Sequence, residues 1–124
     1  MKIIDVHGEL LASSLAAGTY TASGDGAGID LQGYQGTLKV ILNSGAGGGT
    51  TPTLDVKIQD SADNNNFTDI VDKAFAQVTT IASLQSLGID TRAVRRYIRA
   101  VLTIGGSTPT FGLAVVAVGQ KQIM

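Results

Sequence analysis

The residue types that carry chemistry are few in this chain, and their spacing limits what each can do. His7 is the single histidine and there is no cysteine. His/Cys metal clusters and Ser-His or Cys-His nucleophiles therefore have almost nothing to be built from. His7 reads as a surface or interface side chain. The run Asp60-Ser61-Ala62-Asp63-Asn64-Asn65-Asn66 offers the oxygen ligands that a hard cation wants. Counted from Asp60, the third position is Ala62 and the sixth lacks the glycine on which a calcium loop turns. The run reads instead as a polar turn, since Asn and Asp tolerate left-handed backbone and form Asx-turns.

Ser44-Gly45-Ala46-Gly47-Gly48-Gly49 has the glycine content of a phosphate loop. It lacks the Gly-Lys-Ser/Thr ending, and Pro52 and a strand follow it where an anion site needs a helix N-terminus. It is expected to be a mobile hairpin loop that a partner would order. Arg92, Arg95, Arg96 and Arg99 place four of the nine cations within eight positions. Three readings stand: a phosphate-contacting patch, a solvated face offset by Asp90 and other acids, or guanidinium forks pairing with a partner's carboxylates. Ten acidic residues are scattered without a distinguished pair, and no tryptophan offers a sugar platform. The expectation is a protein that is not an enzyme, with no cofactor and no metal.

The segments that hold these residues read as β throughout. Tyr97–Val118 reads as an antiparallel hairpin: Tyr97–Ile104, a Gly-Gly-Ser-Thr-Pro-Thr loop, and the apolar run Phe111–Val118. In its first strand Ile98, Ala100, Leu102 and Ile104 should face opposite to Tyr97, Arg99, Val101 and Thr103. Leu113–Val118 carries no polar residue and should be covered on both faces, as an interior strand is. A second hairpin is expected from Gly36–Asn43, the loop Ser44–Thr51 and Thr53–Asp60, where Leu54, Val56 and Ile58 alternate with Asp55, Lys57 and Gln59. The only two prolines sit at matching places, Thr51-Pro52-Thr53 and Thr108-Pro109-Thr110. The match suggests two related β units.

Lys2–Val6 reads as a strand or an arm. Glu9–Ala17 has a weakly helical spacing that Gly18 undercuts. Thr19–Ala22 and Ala27–Leu31 are β-like, around a turn at Ser23–Gly28. Phe67–Val71 is expected as a short strand with Phe67 as a core anchor, Ala74–Val78 as connector and Val78–Ala82 as strand. Ser83–Arg96, broken by Gly88, reads as an irregular crossover. About eight short strands at intervals of roughly ten residues give an all-β, single-domain antiparallel sandwich. Residues 1–18 are expected to form an N-terminal arm and 19–124 the sandwich.

Composition narrows the partners. Charged residues are 15% of the chain and nearly balanced, with a formal net charge of −1. A nucleic-acid binder would show a basic excess, so no direct nucleic-acid contact is expected. No apolar run approaches the ~20 residues of a membrane helix, and Asp5 and Glu9 interrupt any signal core. With 44% apolar residues and 16 glycines, the chain has an unusually bland surface for a monomer. Such surfaces tend to be covered by partners.

Leu54–Asp69, with Arg95–Thr103 downstream and the Ile-Asp pairs Ile29-Asp30 and Ile89-Asp90 ahead of each leading strand, resembles the head decoration, or cement, proteins of tailed bacteriophages. The resemblance covers residues 19–119 and leaves out Glu9–Ala17. It implies a jelly-roll-like β-sandwich that binds the exterior of a phage capsid in many copies and stabilises the shell. It further implies assembly in the host cytoplasm, a homo-oligomeric state (dimer or trimer), the major capsid protein as partner, and no catalytic residues. Two other classes compete: another virion structural protein of the tail, fibre or head-completion type, which shares the composition, and a β-sandwich ligand- or receptor-binding module, which would need an aromatic platform or polar pocket where only three Tyr and three Phe are present. Partner contacts are expected from the arm Met1–Leu11 (Lys2, Ile3, Ile4, His7), from Gly47, Gly48 and Gly49 of the glycine loop, and from Arg95 and Arg99.

Overall fold

A computed structural model describes residues 4–6 and 9–121, with side chains over 12–119. Nine strands follow in order: β1 (Ile4–Val6), β2 (Glu9–Tyr20), β3 (Gly24–Asp25), β4 (Ile29–Asp30), β5 (Tyr34–Ser44), β6 (Gly48–Ser61), β7 (Thr68–Ala74), β8 (Ser83–Asp90) and β9 (Tyr97–Lys121). All pairings are antiparallel. The front layer runs β1-β2-β9-β5-β8, and in the back layer β9 lies between the short β3 and β4 on one side and β6-β7 on the other. The all-β, single-domain sandwich expected from the sequence is what the chain forms.

The shared member is β9. Its 25 residues pass through both layers, so the expected hairpin at Tyr97–Val118 is corrected to one continuous strand. Its first half pairs with β6 in the back layer, from Ser61↔Tyr97 to Leu54↔Ile104. Its second half lies between β2 and β5 in the front layer. Ile98, Ala100 and Leu102 are buried in the first half, and Phe111, Leu113, Val115 and Ala117 in the second. The inward positions change from even to odd numbers along the strand. An irregularity that shifts the alternation once lets a strand turn a corner and keep its apolar side on the core.

The Gly/Pro stretch makes that irregularity. Gly106 (φ 111°) and Thr108 (φ 46°) in β9 lie against Gly49 (φ 95°) and Thr51 (φ 46°) in β6. Thr50 and Ser107 are register partners, with shifts on either side of Thr50. Each positive-φ threonine donates its hydroxyl to the preceding carbonyl, Thr51 to Thr50 and Thr108 to Ser107, both at 2.8 Å. The matching prolines thus belong to two halves of one corner, paired with each other. They do not mark two separate hairpin units. The Ser44–Thr51 loop shrinks to Gly45–Gly47, and the strands it joins, β5 and β6, lie in different layers.

Four further expectations change. Glu9–Ala17 is strand β2, and Ala12 and Leu15 are core residues, so from residue 9 onward the expected arm is part of the sandwich. Its helical spacing arises because β2 is irregular in register between Ser13 and Gly18, which breaks strict alternation. Ser83–Asp90, expected as part of a crossover, is strand β8 in unbroken register with β5 from Ser44↔Ser83 to Thr37↔Asp90. Val78–Ala82 reduces to a bridge between Val78 and Leu54, whose amides and carbonyls bond at 2.8 and 2.9 Å. Phe67 is only half-buried, and the buried aromatics are Phe75 and Phe111.

Candidate interaction surfaces

Acids of the chain itself account for the arginine cluster. Arg95 donates from its backbone N–H (3.0 Å), Nε (3.2 Å) and Nη2 (2.9 Å) to the Asp60 carboxylate, and from Nη2 to the Asp60 carbonyl (2.8 Å). Arg96 grips Asp30 in a two-point fork at 2.9 and 2.8 Å and lies 5.0 Å from the Tyr97 ring centroid. Arg99 donates to Gln59 at 2.8 and 3.0 Å, stands 3.5 Å from Asp25, and stacks 4.0 Å above the Phe67 ring. Arg92 stands 3.6 Å from Asp90. These bonds tie β4 and β6 to the turn before β9. Of the three readings for the cluster, the one with acids offsetting it matches this geometry.

The same contacts set the acid groups. The Arg96 guanidinium, with help from the Gln32 amide, holds Asp30 below the usual carboxylate range against the effect of burial. At Asp60 burial is the largest single influence and pushes the pKa up, but the side-chain and backbone bonds from Arg95 together outweigh it. Asp63 accepts from the amides of Asn66 and Asn65 (both 2.9 Å) and from the Ser61 hydroxyl (2.8 Å), and its carboxyl lies far below the usual range. Asn64 adopts φ 59° at this turn. The Asp60–Asn66 run is the polar Asx turn expected. Among the described residues, no group of three His, Cys, Asp or Glu side chains is placed to hold a metal ion.

The glycines of the first loop are packed by the protein itself. A Cβ on Gly47 would meet the Thr79 carbonyl at 2.5 Å and the Phe111 ring at 2.6 Å, and one on Gly49 would meet the Thr108 carbonyl at 2.4 Å. A Cβ on Gly48 would meet the Thr110 hydroxyl at 2.5 Å. Gly47 also donates its N–H to Thr79 at 2.8 Å. Close approach of backbone and side-chain atoms explains these residues, and Gly48 and Gly49 belong to β6 and not to the loop. Of the arm residues, Ile4 lies in β1 opposite Leu11. Lys2, Ile3 and His7 lie outside the described residues.

The two outer faces of the sandwich differ in chemistry. The back face carries Asp55, Lys57, Gln59, Arg99 and Asp69, cross-linked by Lys57–Asp69 (3.1 Å), Gln59–Asp69 (2.8 Å) and Gln77–Asp55 (3.0 Å). The front face runs across four strands in register: Ser13 opposite Val116, Val116 opposite Ile41, and Ile41 opposite Ser86. Ala114 and Val118 flank Val116, and Leu84 on β8 is 73% exposed. Exposed Asn43 lies in register between Leu84 and Ala114, and the charged side chains described on this face are Lys39 and, at its end, Asp90. The all-apolar run Leu113–Val118 was the available signal. It is an interior strand as expected, but only Leu113, Val115 and Ala117 are fully buried, while Ala114, Val116 and Val118 remain half-exposed.

No protein-family model matches the sequence. No curated protein matches it either. Among solved structures, a chain of the T13 infectious bursal disease virus particle aligns over 91% of this chain with TM-score 0.57 and 14% identity. The VP2 subviral particle of the same virus aligns over 91% with TM-score 0.53 and 13% identity. This chain spans about a third of those chains, 31% and 32%. The fold is therefore one also found in a viral capsid protein. The SPBc2 prophage-derived protein YomS aligns over 90% of this chain and 98% of its own, at 12% identity and TM-score 0.47.

Proposed function

We propose that this chain is a virion structural protein, without enzymatic activity, that binds the outer surface of a phage capsid in many copies and stabilises the shell. The observation that carries the reading is the sidedness of the sandwich. One face is charged and internally cross-linked, and the other carries few charges, with Ile41, Leu84, Ala114, Val116 and Val118 set among small polar residues such as Ser13, Asn43 and Ser86. An open face with exposed aliphatic side chains and few charges suits another protein surface better than a small substrate. The arginines and carboxylates that would serve catalysis are engaged with one another. The fold shared with the infectious bursal disease virus particle agrees with this role.

Cementing asks only for binding energy distributed over adjacent subunits, and many weak attachments add up to firm occupancy. Quantitative mass spectrometry of purified particles, with the major capsid protein as internal standard, tests the proposal. Hundreds of copies per particle in a simple ratio to the capsid protein are expected. A handful would move the protein to the tail or portal, and absence from particles would overturn the virion assignment.

A further inference from the structure

The four sheet edges of the sandwich are not equally protected. In the front layer β1 is three residues long, and in the back layer β3 and β4 are two residues each. The other back edge, β7, is interrupted: its register jumps between Asp69 and Ala74, Asp72 takes φ 63°, and Asp69, Asp72 and Lys73 place charge along it. Short strands, bulges and charges are the usual guards against edge-to-edge pairing. β8 has none of them. It is eight residues in unbroken register with β5, has no proline, and bears no charge before its last residue, Asp90. Among the described residues, no backbone hydrogen bond beyond the β5 ladder reaches Ser83–Ile89, so the other side of the strand presents open N–H and C=O groups.

We propose that β8 pairs antiparallel with β8 of a second copy, about a two-fold axis at Ser86, joining two front layers into one continuous sheet. The sequence of β8 is self-complementary in that register. Side chains opposite one another must share a face, so the pairing sets Ser86 against Ser86 and Leu84 against Gly88 of the other copy. Leu84 is 73% exposed, and Gly88 has no side chain to obstruct it. Each Leu84 therefore covers the bare backbone at the other copy's Gly88, twice per dimer.

The charge placement agrees. Asp90 falls opposite Ala82, and the two Asp90 residues stand eight positions apart, about 27 Å at ~3.4 Å per residue. No like charges meet, and the apolar Ile81, 77% exposed, lies at the same end as Ala82. An edge eight residues long gives roughly several hundred Å² per copy, near the lower limit for a specific interface. A dimer that dissociates at micromolar concentrations is the expected strength. The two-fold closes the assembly, so dimers and not fibres form.

Analytical ultracentrifugation of the full chain from micromolar to millimolar concentration tests this. A reversible monomer–dimer equilibrium is expected, with Leu84→Lys weakening it at least tenfold while circular dichroism stays native. The chain has no cysteine, so Ser86→Cys reports the axis directly. Under mild oxidation it should give a covalent dimer at least tenfold faster than Thr103→Cys, an exposed position on the back layer. A strict monomer at millimolar concentration overturns the proposal. So does an oligomer indifferent to Leu84→Lys, or equal cross-linking from Ser86→Cys and Thr103→Cys.

Discussion

Replacing Gly106 by alanine probes the corner on which both layers depend. Gly106 sits at φ 111°, and a Cβ there would meet the carbonyl oxygens of Thr51 at 2.7 Å and Thr50 at 2.9 Å and the Pro52 Cα at 3.1 Å. All three are β6 backbone, so no side chain can swing away. The backbone strain costs about 1–3 kcal/mol, and separating β6 from β9 to admit the methyl costs about another 1–3 kcal/mol. The sum, roughly 2–6 kcal/mol, is a large part of the ~5–15 kcal/mol that holds an ordinary domain together. With a mid-range m-value of ~2 kcal/mol/M, the urea midpoint should fall by about 1–3 M. Two controls separate the contributions. Gly33 has φ 88° with nothing within 4 Å of an added methyl group, so Gly33→Ala carries backbone strain alone, about 1–2 kcal/mol. Gly112 has neither strain nor neighbours, and Gly112→Ala should stay within about 0.5 kcal/mol of the parent. Gly49→Ala strains the same corner from the β6 side, so the double variant should lose less than the sum of the singles. If Gly106→Ala costs no more than Gly33→Ala, β6 and β9 do not approach each other as described and the corner is wrong.

Ser14→Ala removes a hydroxyl that donates to the Ala27 carbonyl at 2.8 Å and accepts from the Ala100 amide at 3.0 Å. The Ala100 amide loses its bond in a buried site, while the Ala27 carbonyl belongs to an exposed residue, so a loss of about 1–2 kcal/mol is expected. Hydrogen exchange should show the Ala100 amide losing protection, and an unchanged rate would count against the contact. Acid should destabilise the fold through Asp30 and Asp60, whose folded pKa values lie below the unfolded value near 3.8. A group with a lowered folded pKa adds stability above its unfolded pKa and loses it as pH falls through the folded one. Stability should therefore drop below about pH 4, and Asp60→Asn should make that drop shallower. An identical acid profile for the variant would show that the Arg95–Asp60 pair is not formed in solution.

What the sequence disclosed follows from which interactions were local. The alternation of Leu54, Val56 and Ile58 against Asp55, Lys57 and Gln59 placed β6 and its buried side correctly, because side-chain alternation is a property of the strand alone. Ile98, Ala100 and Leu102 were legible for the same reason. The corner was not. Gly, Ser, Thr and Pro mark a turn and a paired bulge alike, and only the meeting of residues 49–52 with 106–109 distinguishes them. β8 was hidden because an edge strand needs only one apolar side, and Gly88 and its serines gave it the look of a loop. The Asx turn at Asp63 was legible, since its bonds span two or three residues. The ion pairs of Arg95 and Arg96 reach 35 and 66 positions along the chain, and no local pattern announces a partner at that distance.

The two proposed surfaces bear on one another through β9. The apolar patch lies over the second half of β9, and the first half anchors the polar back layer. A pull on the front face therefore passes into the back layer along covalent chain, and separating the layers would mean tearing one strand from all its neighbours. Pairing at β8 would extend this plate sideways. Each front layer contributes five strands, β1-β2-β9-β5-β8, and the joined sheet would present two apolar patches on the same side. Such a dimer is bivalent toward any surface with a repeating subunit. Attachment of the first patch raises the effective concentration of the second, which can strengthen binding by ~10²–10⁴ without a new contact. A face with few charges would be a weak ligand singly. On a lattice of identical sites, in pairs, weak contacts would suffice, and under the proposed role the reversibility of each contact would let the dimer find its place.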